Sequence, residues 1–100
     1  MSLYYKVDQS IYNKLCALAF RIADNKYMLE RYGVNETEIE RASNHKTICL
    51  IFDELDAVGV PFWVQNSAIA FGEDWRRYKS DCLYHWLRGR GVDVSGVSCL

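Results

Sequence analysis

Proline is nearly absent: Pro61 is alone in one hundred residues, so little in this chain forces a helix to stop. Glycine is sparse too, six in all, and none of it makes a glycine-rich loop ahead of a lysine and a hydroxyl. Phosphate cradles and dinucleotide-binding turns are thereby excluded. No Cys-x-x-Cys pair is present to anchor a compact zinc knuckle. No apolar run is long enough to cross a bilayer, and the opening MSLYYKVDQS lacks the apolar centre of a secretory signal. Repeats and low-complexity segments are missing as well.

Apolar side chains are what the chain has in quantity: 50% of residues are hydrophobic and 14% aromatic. That is enough apolar surface to offset the ordering entropy of a small domain, which excludes a disordered chain. We therefore expect one helical domain over residues 1–100. So much apolar material on so small a body also favours a buried subunit interface. The net charge is −1, so the chain is no polycation. Its charges are unevenly spread. Between Asn35 and Asp56 the acids Glu36, Glu38, Glu40, Asp53, Glu54 and Asp56 face only Arg41 and Lys46. Between Trp75 and Gly91, Arg76, Arg77, Lys79, Arg88 and Arg90 face only Asp81.

Cys16, Cys49 and Cys82 fall among apolar residues at helical spacing, where a free thiol acts as a small hydrophobe. Reduced cysteines and a cytoplasmic location follow as expectations. Cys99 is next to last, which is not the place of a prenylated cysteine.

Three helices are expected, at about 9–32, 36–58 and 61–89, as an all-α three-helix bundle with a long C-terminal helix. Ser10 or Asp8 can cap the first, and Gly33 ends it. Ile11, Leu15, Leu18, Ile22 and Leu29 make one stripe, and Cys16, Phe20, Ala23 and Tyr27 a second. Asn35 with Glu38 reads as the capping box of the second helix, whose core stripe is Ile48, Ile51, Phe52 and Leu55. In the third, Val64, Ala68, Phe71, Trp75, Tyr78, Cys82, Trp86 and Gly89 recur at steps of three and four, close to a heptad seam. The seam runs straight past Gly72, which lies off it. This predicts one helix of roughly 40 Å, with Gly72 costing it about 1 kcal/mol away from any interface. Residues 92–100 are expected as a loose tail, or as a strand-like arm docked elsewhere.

A second apolar line on the third helix, formed by Phe62, Gln65, Ile69, Leu83 and Leu87, has no obvious cover within the chain. A second copy is the simplest supplier, giving a homodimer with Gln65 fixing its register. On the outer side, Trp63, Asn66, Arg77, Tyr84 and Arg88 would form a line of the residue types richest in protein-binding hot spots. These residues are the expected contact surface for an unknown protein partner.

The chemistry-bearing alternatives are fewer. Basic residues among aromatics in DWRRYKSDCLYHWLRGRG raise nucleic-acid binding through Arg77 and Arg88, but on a helix the cations split between two sides. His45 with Cys49 and Cys82 with His85 have the spacing of two half-sites of a tetrahedral zinc centre. Thiols beside imidazoles on a helix are more often structural. No nucleophile turn accompanies them, so no catalytic residue and no cofactor is assigned. The sequence thus points to a non-enzymatic interaction or regulatory module that dimerises, does not enter a membrane, and has nucleic-acid binding as its rival role.

Overall fold

The structure, a computed structural model, describes residues 5–33, 37–75, 77–78 and 81–98, the side chain of Ile39 excepted. Every regular element among these residues is helical: α1 (Gln9–Tyr32), α2 (Glu38–Ala57), α3 (Phe62–Glu73) and α4 (Leu83–Arg88). The longest is α1, at the N-terminal end, and not a C-terminal helix.

Local chemistry sets the ends. Asp8 caps α1 by accepting from the Ile11 amide at 2.8 Å. Gly33, with φ of 58°, supplies the left-handed residue at its C-terminus. The α2 capping box is Thr37 with Glu40, each accepting from the other's amide, at 3.3 and 3.4 Å. The Asn35–Glu38 box is corrected accordingly; Glu38 is already the first helical residue, and Asn35 lies outside the described residues. NETEIE carries the box spacing twice, and the threonine hydroxyl takes the cap. At the other end, the Val60 amide reaches Leu55 O and the Gly59 amide reaches Asp56 O, with Gly59 at φ 78°. That is a Schellman end. It recurs after α4, where the Val92 amide bonds Leu87 O and Gly91 sits at φ 82°. Both ends are followed by a buried valine, Val60 and Val92.

The core forms where α1 meets α3, with α4 and the terminal segments closing it. Leu15, Leu18, Leu55, Val64, Leu87, Val7 and Val92 are fully buried there. Each large apolar side chain so buried contributes about 2 kcal/mol. Helix α2 is the least covered: among its described side chains only Leu55 and Asn44 are buried, and Ile48, Ile51 and Phe52 are half-buried. Lys14 of α1 pairs with Glu54 of α2 at 3.4 Å, both solvent-facing, which adds little.

The single long third helix is not what forms. Helix α3 ends at Glu73, and the Asp74 amide still bonds Ala70 O. Asp74 O then receives the Arg77 and Tyr78 amides, at 2.8 and 3.1 Å, so a separate turn begins. The Asp81 amide bonds Tyr78 O, and α4 starts after Cys82. A straight helix would carry Leu83, Trp86 and Leu87 past the end of the core. Folding back buries all three, at several kcal/mol of apolar transfer against one lost helical turn. The apolar repeat survives the break: Trp75 meets Phe20 edge-on at 5.9 Å, and Tyr78 and Phe71 meet Trp86 at 6.4 and 6.0 Å.

Gly72 is likewise corrected. It is buried against α1, where a Cβ would lie 2.6 Å from Ala19 O and 3.0 Å from Ile22 Cβ. Small side chains at Ala19, Ala23 and Ala68 line the same buried region. Of the two expectations for the tail, its described part takes the docked one. Lys6 and Asp93 form a parallel bridge, with the Val7 amide on Asp93 O and the Asp93 amide on Tyr5 O, each 2.9 Å. Val92, Val94 and Val97 are buried, and the Ser98 amide donates to Gln9 Oε1 at 2.9 Å.

One tyrosine ties α4 to α1. The Tyr84 amide donates to Tyr12 Oη at 3.1 Å, supplying a partner for a helix-start N–H that nothing else caps. Burial, and secondarily Cys16, push the Tyr12 hydroxyl well above its ordinary value. As pH rises past about 10 the unfolded chain sheds this proton while the folded chain keeps it, so stability falls. Tyr12→Phe should flatten that alkaline decline and cost about 1 kcal/mol at neutral pH. Urea unfolding at neutral and alkaline pH measures both effects.

Candidate interaction surfaces

The broken third helix divides the expected partner line. Trp63 and Asn66 remain on the exposed side of α3, Trp63 with 41% of its surface open. Arg77 sits in the connecting turn, its guanidinium 5.7 Å from the Tyr78 ring. It lines a cleft of about 210 Å³ with Lys26, Tyr27, Glu30 and Trp75. The Lys26 ammonium bridges that cleft to Glu73 O at 3.0 Å. Tyr84 and Arg88 lie together elsewhere, in an open groove of about 530 Å³ between α4 and residues 92–95. In that groove the Ser95 amide and hydroxyl hold the Asp93 carboxyl below its ordinary value. Arg77 and Arg88 therefore face separate clefts, each also lined by acid: Glu30, Glu73 and Asp74 in one, Asp93 in the other. Arg76 and Lys79 lie outside the described residues.

The expected dimer seam divides as well. Leu83 and Leu87 are buried within their own chain, Ile69 is half-buried, and Phe62 is 71% exposed. Gln65 is 2% exposed, and its amide donates to Asp56 Oδ1 at 2.7 Å and Val60 O at 3.0 Å. This glutamine holds the α2–α3 corner shut. At that corner Val58, Phe62 and Trp63 all stand in solvent, with Leu50 exposed one helix back. Sequence spacing could not show this group, because three of its members flank the turn instead of sharing one helix face.

The four zinc candidates are not brought together. His45 and Cys49 adjoin on exposed α2, Nε2 to Sγ 3.5 Å. His85 packs against the Tyr84 ring, and Cys82 is disulfide-bonded, which corrects the expectation of a reduced thiol there; its partner lies outside the described residues. Among the described residues no three histidine, cysteine or acidic side chains gather as a metal site. Cys16, beside Tyr12 on α1, has its thiol pushed up by burial, which keeps it protonated and makes it a poor nucleophile. No described helix is long and apolar enough to cross a membrane.

No protein-family model matches the chain, and no curated protein or solved structure resembles it significantly.

Proposed function

We propose that this chain is a non-enzymatic interaction module that works as a homodimer, and that its contact surface is the outer side of α2 with the corner leading into α3. The observation that carries the reading is the exposure of Leu50, Val58, Phe62 and Trp63 within fourteen residues of sequence, beside a helix whose own core face is thinly covered. Large apolar side chains left together in water are stabilised by a second surface, and a second copy is the most available one. Trp63 is of the type that anchors interfaces. Nothing in the placement of Arg77 and Arg88 favours the nucleic-acid alternative, since they face different clefts that also carry acids. A cytoplasmic location rested on reduced cysteines. The disulfide at Cys82 takes that residue out of the argument, while Cys16 and Cys49 remain free thiols.

Sedimentation over a concentration series tests the reading. The chain should sediment as a dimer in the micromolar range, and Leu50→Glu with Phe62→Glu should weaken association about tenfold or more without loss of helix signal. A chain that stays monomeric at every concentration would defeat it.

A further inference from the structure

We propose that His45 and Cys49 are one half of a tetrahedral zinc site that a second copy of the chain completes with the same two residues. The proposal rests on the reading above that the chain pairs with itself, but it places that pairing on the His45–Cys49 face of α2, from which Leu50 lies about a third of a turn away. The first support is distance. Zinc–sulfur and zinc–nitrogen bonds of about 2.3 and 2.0–2.1 Å at a tetrahedral angle place the two ligand atoms about 3.5 Å apart. Cys49 Sγ and His45 Nε2 already stand at 3.5 Å. Two residues four apart on a helix hold that edge without distortion, and both side chains are exposed, so the ion needs no opening motion to enter. Their chemistry suits zinc, which takes imidazole and thiolate together. One pair supplies two of the four ligands, and no third candidate ligand stands close enough among the described residues. The site is incomplete without a partner.

The second support is what lies around the pair. An antiparallel pairing of two α2 helices about a twofold axis at the level of Thr47, on the side of the helix away from that residue, sets His45 opposite the partner's Cys49. The same operation sets Arg41 opposite the partner's Asp53 and Ala42 opposite the partner's Phe52, each twice. Arg41, Asp53 and Ala42 are exposed and Phe52 half-exposed, so the pairing matches opposite charges and lays a large apolar side chain on a small one. Glu38 falls opposite the partner's Asp56 at the periphery, where Asp56 is already engaged by the Gln65 amide. Metal binding releases the Cys49 thiol proton to solvent, leaving a neutral site with two thiolates and two neutral imidazoles around the dication.

Cobalt(II) and zinc titrations of the full chain, read by absorbance and sedimentation, test the proposal. Cobalt should bind at one ion per two chains, with the visible bands of a tetrahedral site and sulfur-to-metal charge transfer in the near ultraviolet. Zinc should tighten dimerisation about tenfold or more over metal-free protein. His45→Ala and Cys49→Ser should each abolish both effects with the fold intact. Cys49→His should keep the metal-linked dimer and lose the charge-transfer band. Absence of binding, binding at one ion per chain without association, or effects that survive Cys49→Ser would each overturn it. A dimer indifferent to metal would overturn the zinc site while leaving the homodimer standing, and a metal-free monomer that zinc joins into a dimer would support the site alone.

Discussion

Gly72→Val should leave little folded protein, and Gly72→Ala should cost about 1–3 kcal/mol in unfolding free energy, the range of overpacked cores. The alanine case sets two effects against each other. A methyl group in the last turn of α3 restricts the unfolded chain and improves helix propensity, together worth at most about 1 kcal/mol. Against this, the new Cβ would lie 2.6 Å from Ala19 O, and a backbone oxygen inside α1 cannot rotate aside as a side chain can. The two helices must part by several tenths of an ångström, and Val64, Ala68 and Phe71 lose contact along the same face. Separation wins. For valine a branched side chain must also find room against Ile22, so the loss should exceed that of alanine. Urea midpoints of the two variants measure the effect; an alanine variant as stable as the wild type would mean that α1 and α3 do not cross this closely.

Gln65→Glu should destabilise the chain by about 3 kcal/mol at neutral pH and much less in acid. The wild-type amide gives both its protons to acceptors, Asp56 Oδ1 and Val60 O, so a buried polar group joins α2 and α3 there. A carboxylate there has no proton to give and faces a second carboxylate. Burial and the charge on Asp56 both favour the neutral acid, so the folded chain holds the proton more tightly than the unfolded one. By linkage, stability then falls as pH rises through and above the ordinary glutamate value of about 4.3, and returns on acidification. Unfolding curves for variant and wild type across that interval should diverge with pH. A difference that stays constant would show that the substituted side chain does not face Asp56.

How much of this was legible in the sequence depended on the kind of signal. Helix α1 was legible because Asp8, Gly33 and the Leu15–Leu18 stripe act locally and agree. The second cap was misplaced by two residues because Asn35–Glu38 and Thr37–Glu40 overlap, and the choice between them is decided by which hydroxyl or amide reaches the helix amides. The third helix failed more instructively. Trp75, Tyr78 and Trp86 do turn inward at helical intervals, yet among the described residues between Glu73 and Leu83 the helix does not continue. Burial periodicity records which way side chains face, and a turn can preserve that rhythm. Gly72 was read as a cost because it lacks a side chain, when that lack is what lets two helices meet. Arg77 and Arg88, placed on one line by helical geometry, were separated by the same break. Phe62 and Trp63 were assigned to two different lines of a helix, though they share an exposed corner.

The bridge between Lys6 and Asp93 has a consequence for synthesis. Val7 is wholly buried only when residues 92–98 lie beside it, at a sequence separation that spans almost the entire chain. A ribosome makes α1 well before this closing segment. The nascent chain can gather α1, α2 and α3, but the floor of its core stays open until residues near Ser98 have cleared the exit tunnel. Throughout that interval Leu15 and Leu18 are guarded only in part, so chaperones that hold the nascent chain should stay bound until the Lys6–Asp93 bridge has closed.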